Sequence, residues 1–393
     1  NEVVREKIYE MICWWMDQGL AGFRIDAIMN IKKDLTWSDL EPDGPDGLAD
    51  VYKVTGKVKG IGDFLLEMKH RCFEPYDALT VGEAMFVKEE ILPQFIGDQG
   101  YFSTIFAFEP CHAYRKGKNY MDYDWPQPFD DWKKETFHNQ KIIEKAGFEA
   151  NIIENHDQPR SVSRFGNDSD EYREISAKML ATCIHMMQGT PYVYQGEELG
   201  MTNCPFNTLD NFRDLESINA FHELTEQGKM TKEDMMAAIG YKGRDNARTP
   251  MQWDNSLHGG FTTGTPWLAE NPNYTKINVT DQLNRPDSVL SFYKELIALR
   301  KAPEYVETFT YGTFAAAYED VDHMFAYYRT NEETGQRILV AGNFGTDTVT
   351  LPLEKPADRV LLTNGKTADV ILTRNRESAS LVLGSCDCVV LLL

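Results

Sequence analysis

The chain has 393 residues, of which 42% are hydrophobic and 12% aromatic, and its formal net charge is −21. This length exceeds one compact core of ordinary size and favours a large domain followed by a smaller one. The composition excludes a disordered or low-complexity chain. The acidity argues against a nucleic-acid partner, because no basic surface remains to neutralise phosphates, and it suits a neutral small-molecule substrate.

The seven cysteines show no framework spacing and predict reduced thiols rather than a disulfide scaffold. Cys13, Cys183 and Cys204 lie among apolar residues and are expected to be core thiols. Cys386 and Cys388 would share one face of a strand, and no Cys-x-x-Cys pair accompanies them, which disfavours a zinc site. We therefore expect a reducing, cytoplasmic setting, with neither a signal peptide nor a membrane partner.

The first 200 residues are predicted to alternate helices with short apolar strands. In chain order, they are a helix up to Gln18, the strand AGFRIDAI, the helical stretch VKGIGDFLLEMKHRC, the strand ALTVGEA, the short helix VKEEILPQFI, the strand YFSTIFAFEP, the helix FDDWKKETFHNQKIIEKAG, the strand FEANIIEN, the helix EISAKMLATCIHMMQG and the strand TPYVYQGEELG. This alternation predicts a parallel sheet covered by helices, as an open doubly wound sheet or a closed barrel. No G-x-G-x-x-G turn follows a strand, which disfavours dinucleotide binding.

Charged side chains fall at the ends of these predicted strands. Asp26, Glu83, the pair His156 and Asp157, and Glu197 each end one of them. In a (β/α)8 barrel, the carboxyl ends of the strands build the active site. The pattern therefore favours a barrel enzyme, although only five strands are predicted where a barrel needs eight.

The pattern changes after residue 202. Residues 203–283 combine helices with a loop rich in Gly, Pro, Asn and Trp, and the amphipathic helix DSVLSFYKELIALRK follows. Beyond Pro303, short β-type runs alternate with turn residues and predict a small antiparallel β domain. These runs are TFAAAYE, MFAYYRT, RILVAGNF, DTVTLPL, RVLLTN and CDCVVLLL.

Two carboxylates at strand ends have contrasting surroundings. Arg24 and Asp26 point to the same face of a strand, so the arginine can hold Asp26 ionised and oriented, as a glycosidic nucleophile requires. Glu83 follows apolar residues and a glycine, which favours a raised pKa and a role as proton donor. A structural ion pair for Arg24 and Asp26, and a capping or loop role for Glu83, remain open at this point.

Two further motifs are polar. In ENHDQPR, His156 and Asp157 could bind sugar hydroxyls, or form a turn with an Asp cap; a metal site lacks a third ligand at suitable spacing. In GRDNARTPMQW, Arg244 could pair with a carboxylate, grip a hydroxyl, or simply lie at the surface. Together with the two strand-end carboxylates, these motifs form the constellation of a glycosidase.

Five motifs in this order carry a resemblance: GFRIDAI, VGEA, ENHDQPR, GTPYVYQGEELGMTN and RDNARTPMQW. They resemble the α-amylase superfamily of glycoside hydrolases, and more narrowly its oligo-1,6-glucosidase and α-glucosidase branch. The motifs span residues 22–253, and the C-terminal β domain is similar as well. The resemblance implies a retaining, exo-acting α-glucosidase that acts on α-1,6 and/or α-1,4 bonds of short oligosaccharides.

The resemblance also implies roles for individual residues. Among the catalytic carboxylates, Asp26 matches the nucleophile and Glu83 the general acid/base. Asp157 matches the third carboxylate, which grips the sugar hydroxyls and stabilises the oxocarbenium-like transition state.

Three residues match substrate-binding positions of the family. Arg24 matches the arginine that supports the nucleophile, and His156 matches the hydrogen-bonding partner of the third carboxylate. Arg244 matches the arginine that closes the pocket over the terminal glucose in exo-acting members.

Several family features have no counterpart in this sequence. The first three barrel strands, the first histidine motif, the acidic partner of Arg244 and the calcium loop are missing. We therefore expect the C-terminal part of a longer enzyme, with about strands 4–8 of a (β/α)8 TIM barrel in residues 1–303 and an antiparallel β domain in residues 304–393. The chain alone is predicted to be inactive or poorly folded. We expect no cofactor, no metal ligand within this chain, and a small oligosaccharide as substrate; the oligomeric state, a monomer included, stays open.

Bond specificity and the exact reaction also stay open. Members specific for α-1,6 bonds often have valine after the nucleophile, whereas Ala27 leans towards α-1,4 or mixed substrates. Phosphotrehalases and sucrose isomerases share most of these motifs. A non-catalytic relative, such as an amino-acid-transporter heavy chain, is disfavoured because Asp26, Glu83 and Asp157 all persist.

Overall fold

A computed structural model of the chain describes residues 1–44, 47–49, 59–85, 87–97, 99–108, 128–365, 370–371 and 379–393. The chain divides into two compact units. The first comprises residues 1–109 and 142–150, and the second comprises residues 110–141 and 151–393. The predicted boundary between residues 303 and 304 stays a prediction.

The first unit contains a three-stranded parallel sheet. Its strands are β1 (Gly22–Ile25), β2 (Leu79–Gly82) and β3 (Thr104–Ile105), in the order β1-β2-β3. Gly22 pairs with Leu79 and Val81 with Thr104. All three strands confirm predicted ones, but each is shorter than its predicted stretch. The helices of this unit are Glu2–Asp17, Ile61–Met68 and Leu92–Phe95.

The opening helix of this unit packs on one face only. The Asn1 side chain caps it by accepting the Val3 N–H at 3.0 Å, which satisfies a donor that the first turn leaves without a partner. Tyr9, Ile12 and Met16 recur at helical spacing and are buried in the core of the unit. Phe23 and Ile25 of β1 also pack against this core, so the core supports the strand that leads to Asp26.

The second unit is centred on a buried helix, Arg173–His185. Every residue from Ser176 to His185 is buried, because this helix packs against the helix Val289–Lys301 and against strands of the C-terminal sheet. Tyr327 of that sheet donates its hydroxyl to the Cys183 carbonyl at 2.9 Å. Burial on all sides explains why the amphipathic period of this helix is weak.

This part of the chain also contains further helices and two short strands. The helices are Ser161–Phe165, Leu215–Glu226, Lys232–Lys242, Asp245–Arg248, Val279–Leu283 and Val306–Tyr311, and the helix Phe129–Ala146 contributes to both units. Two strands of two residues each, β4 (Ala150–Asn151) and β5 (Thr190–Pro191), lie where longer strands are predicted.

The C-terminal residues form antiparallel sheets, as predicted. The strands are β6 (Thr313–Ala317), β7 (Met324–Thr330), β8 (Arg337–Asn343), β9 (Val349–Leu353), β10 (Arg359–Thr363), β11 (Val370–Ile371), β12 (Ala379–Leu383) and β13 (Cys388–Leu392). One sheet has the order β10-β13-β8-β7-β6 and the other β11-β12-β9. The six predicted runs are confirmed, whereas β11 and β12 are additional. β12 has the sequence ASLVL, whose small Ala379 and polar Ser380 weaken the apolar pattern by which a strand is predicted.

The six cysteines that the structure describes are free thiols. Cys183 and Cys204 are buried as predicted, but Cys13 is only half-buried. Cys386 lies outside β13 with a left-handed φ of 60°, so the prediction that it shares a strand face with Cys388 is wrong. Among the described residues, no helix combines the length and the apolar character that a membrane crossing requires.

A buried asparagine links the turns of the C-terminal sheets. The Asn343 amide donates to the carbonyls of Asp347, Leu383 and Gly384 at 2.8–3.1 Å, and its oxygen accepts the Gly345 N–H. We expect Asn343→Ala to lower the free energy of unfolding by about 3 kcal/mol, because several buried backbone groups lose their partner.

Urea unfolding of the full-length wild type and variant measures this effect. The matched control is Asn331→Ala, in an exposed turn where the side chain accepts two backbone N–H groups, with an expected cost of about 1 kcal/mol or less. Equal losses in the two variants would contradict the prediction.

Candidate active site

The six site residues predicted from the sequence form two clusters, one in each unit. In the first, Arg24 lies between two carboxylates. Its Nη1 is 2.5 Å from Asp26 Oδ1, and its Nη2 is 2.6 Å from Glu83 Oε2. One guanidinium therefore holds both carboxylates in a fixed relation, with two charge-assisted hydrogen bonds.

Parallel pairing places these side chains together. Asp26 and Glu83 are the first residues after β1 and β2, and the Glu83 N–H continues the ladder by donating to the Ile25 carbonyl at 2.9 Å. Ala27 then adopts a left-handed conformation with φ 44°. This turn aims the Ala27 N–H at Glu83 Oε2, at 3.0 Å.

The two carboxylates differ in their exposure. The Asp26 side chain is 75% exposed, whereas that of Glu83 is only 13% exposed. Burial raises the pKa of Glu83 above its ordinary value, as does the neighbouring Asp26, although the Ala27 N–H and the Arg24 charge oppose this effect. A carboxyl that retains its proton to higher pH beside an exposed carboxylate can serve as an acid.

The second cluster surrounds Asp157. Oδ1 of Asp157 lies 3.2 Å from Arg244 Nη1 and 2.6 Å from Arg248 Nη2, and Oδ2 lies 3.2 Å from His156 Nε2. The predicted partners His156 and Arg244 thus contact Asp157. Arg248 is not among the site residues predicted from the sequence. Its position four residues after Arg244 could have indicated it, because residues four apart share one face of a helix.

Arg244 has acidic partners within this chain, contrary to the prediction. Its Nη2 is 2.5 Å from Asp214 Oδ1, and its Nε is 3.5 Å from Glu216 Oε2. Asp214 caps the helix Leu215–Glu226, so only folding brings it to an arginine 30 residues away. Although burial raises the pKa of Asp214, the hydrogen bond and charge of Arg244 outweigh it, and this pKa lies below its ordinary value.

Two predicted strand-end positions are not at strand ends. β4 ends at Asn151, so His156 and Asp157 lie in the turns beyond it. Glu197 begins a short 3-10 helix and is buried, where it accepts the Tyr293 hydroxyl at 2.8 Å and lies 2.7 Å from His185 Nε2. Glu197 therefore belongs to a buried polar network.

Comparisons with known proteins identify a family model and several similar proteins. Residues 1–309 match the family model for the alpha amylase catalytic domain. The chain is 42% identical over 347 residues to an oligo-1,6-glucosidase of Halalkalibacterium halodurans, covering 88% of this chain and 60% of that protein. It is also 40% identical over 382 residues to a trehalose-6-phosphate hydrolase of Bacillus subtilis, covering 93% and 64% respectively.

The chain belongs to the α-amylase family. Its fold is accordingly that of the α-amylase catalytic domain, a TIM barrel, with a C-terminal antiparallel sheet. Solved structures of other members are similar over the whole chain. They include a trehalose-6-phosphate hydrolase of Bacillus licheniformis, with TM-score 0.87 and 35% identity, and an isomaltulose synthase of Erwinia rhapontici NX5, with TM-score 0.90 and 32% identity.

The chain covers only part of these relatives. It covers 68% of each of the two solved chains and spans about 60% of the length of curated α-amylase family relatives. Among the residues that the structure describes, no group of three or more His, Cys, Asp or Glu side chains could hold a metal ion. The absence of a cofactor stays a prediction.

The burial of Glu83 predicts a pH-dependent stability. Its pKa is higher in the folded chain than in the unfolded one, so the free energy of unfolding falls as pH rises above the unfolded pKa of about 4.3. The decline ends once Glu83 is ionised in the folded chain. Glu83→Gln removes this loss, so its melting temperature relative to wild type should rise from pH 4 and then level off.

Thermal melts of full-length wild type and full-length Glu83→Gln between pH 4 and pH 8 measure this difference. The control is Glu89→Gln, at an exposed position of the same unit, which should show no such trend. A difference between Glu83→Gln and wild type that stays constant with pH would show that burial does not perturb Glu83.

Proposed function

We propose that the protein is a retaining, exo-acting α-glucosidase that hydrolyses α-1,6 and/or α-1,4 bonds of short oligosaccharides and releases glucose. The observation that carries this proposal is the Arg24 guanidinium, which reaches Asp26 with one nitrogen and Glu83 with the adjacent one. Two carboxylates held by one guanidinium suit double displacement, in which the two carboxyl groups lie closer together than in inverting enzymes.

The chemistry follows from the difference between the two carboxylates. Exposed Asp26 attacks the anomeric carbon, while Glu83, whose pKa burial raises, protonates the leaving oxygen. Glu83 then removes a proton from a water molecule that attacks the anomeric carbon; the bond to Asp26 breaks, and glucose is released with Asp26 restored as a carboxylate. Asp157, His156 and Arg244 bind the sugar hydroxyls and stabilise the positive charge of the transition state.

A second candidate is a reaction on another disaccharide. The relatives include a trehalose-6-phosphate hydrolase at 40% identity, and the similar structures include a sucrose-bound isomaltulose synthase. The α-glucosidase is favoured because several matched relatives at 40–42% identity are oligo-1,6-glucosidases. Ala27 leaves the choice between α-1,6 and α-1,4 bonds to experiment.

A substrate panel tests these alternatives on the full-length gene product. The protein should hydrolyse isomaltose and maltose faster than it converts sucrose or trehalose 6-phosphate. Asp26→Asn should lower kcat on the best substrate by on the order of 10⁴-fold, because the nucleophile is lost.

The matched control is Asp39→Asn, at an exposed position of the same unit, with wild-type rates expected. Retained activity in Asp26→Asn would remove the nucleophile assignment. Turnover of trehalose 6-phosphate alone would favour the second candidate.

We also propose that residues 1–303 carry about strands 4–8 of the barrel and that the catalytic unit needs further strands. β1 lies at the edge of its sheet among the described strands, whereas a closed barrel leaves no strand edge unpaired. Helix Glu2–Asp17 also exposes an apolar stripe at helical spacing. Its members are Val4, Ile8, Met11 and Trp15, each 44–56% exposed.

Expression of residues 1–393 beside the full-length gene product tests this proposal. The isolated chain should hydrolyse a chromogenic α-glucoside at least 100-fold more slowly, or aggregate, because its sheet edge and apolar stripe are uncovered. Full activity from residues 1–393 would refute the need for further strands. We further propose a cytoplasmic location and no cofactor; the free thiols of the six described cysteines support a reducing compartment.

A further inference from the structure

Arg248 contacts both the backbone and the side chain at the Asp157 turn. Its Nε donates to the His156 carbonyl at 2.7 Å, and its Nη2 donates to Asp157 Oδ1 at 2.6 Å. Two donors from one rigid guanidinium define an orientation, which a single contact cannot do. The turn and the carboxylate are therefore held by the same side chain.

Ala247, the residue before Arg248, is held in place through hydrogen bonds to its carbonyl. The Ala247 carbonyl accepts the Tyr194 hydroxyl at 3.0 Å and Arg160 Nη2 at 3.4 Å. Arg160 is fully buried, and its Nη1 also donates to the Gln195 carbonyl at 2.7 Å. Arg248 thus projects from a backbone segment that a buried arginine and a half-buried tyrosine hold in place.

Arg244 cannot replace Arg248 in this position. The Arg244 guanidinium directs Nη2 and Nε at Asp214 and reaches Asp157 only with Nη1, at 3.2 Å. Its charge is therefore shared with another carboxylate. Among the described contacts, Asp157 is the only carboxylate that Arg248 meets.

The contacts to Asp157 are divided between its two oxygens. Both arginines approach Oδ1, whereas Oδ2 has His156 Nε2 at 3.2 Å. The guanidinium groups therefore hold Oδ1, and the described ion pairs of Oδ2 involve His156 alone. An acceptor fixed in this way can meet sugar hydroxyls without losing energy to reorientation.

We propose that Arg248 is a positioning residue that fixes the orientation of Asp157, with Tyr194 acting on it through the Ala247 carbonyl. This proposal rests on the proposed function, because Asp157 stabilises the transition state only if the protein is a glycosidase. An interaction that matters mainly in the transition state lowers kcat more than it raises KM.

Kinetics of Arg248 variants in the full-length enzyme test the proposal. Arg248→Ala should lower kcat by about 10–100-fold, comparable to other residues that orient a functional group, with less than a threefold change in KM. Millimolar guanidinium or methylguanidinium should raise the kcat of Arg248→Ala at least fivefold. Arg248→Lys should fall between Ala and wild type, because an ammonium supplies the charge without the two-donor fork.

Tyr194→Phe tests the connection through Ala247. It removes only the hydroxyl, and it should lower kcat by about 2–5-fold in the wild-type background. In the Arg248→Ala background it should have no further effect on kcat, since its influence passes through Arg248. The matched control is Arg337→Gln, whose side chain pairs with Glu354 in the C-terminal sheet, with wild-type rates expected.

The outcomes separate the two proposals. If the parent enzyme hydrolyses no α-glucoside, the proposed function fails. If the parent is active and Arg248→Ala retains its kcat, the positioning role fails. The role also fails if guanidinium gives no rescue, if KM rises as much as kcat falls, or if the Tyr194→Phe and Arg248→Ala losses multiply.

Discussion

The constraint on which the first unit depends is one guanidinium between two carboxylates. Arg24 contacts Asp26 with Nη1 and Glu83 with Nη2. The ends of β1 and β2 must therefore stay close enough for one guanidinium to reach both carboxylates. Parallel pairing of β1 with β2 provides that spacing, and the left-handed Ala27 turns a backbone N–H towards Glu83. The Asp26 side chain is exposed and that of Glu83 is sheltered, and the different roles proposed for the two acids rest on this contrast.

The second unit uses arginine in the same way but builds the cluster from turns. Asp157 lies beyond a two-residue strand, Asp214 at a helix N-terminus, and Arg244 and Arg248 on a short helical turn. Turns lack the regular backbone hydrogen bonds with which paired strands hold a side chain in place. Hydrogen bonds from buried groups supply the order instead, as Arg160 and Tyr194 do for the Ala247 carbonyl.

Prediction from the sequence succeeded where periodicity was strong. The opening helix, the helix Val289–Lys301 and six C-terminal strands were predicted because apolar residues repeat with a clear period. Strand lengths in the first 200 residues were overestimated, since a run of apolar residues also continues into the buried loops after a strand. The acidic partner of Arg244 was missed because a helix cap and an arginine 30 residues apart share no local pattern.

The sequence by itself determined the family and the six candidate site residues, because motifs such as GFRIDAI and ENHDQPR occur in it in the order in which the resemblance expects them. It also determined the antiparallel character of the C-terminal strands, through short runs and turn residues. Only the tertiary structure decided which charges meet. Arg248 on Asp157, Asp214 on Arg244 and the burial of Glu197 and Glu83 all depend on distances between segments that are remote in sequence, and hydrogen-bond geometry and desolvation act only across such distances.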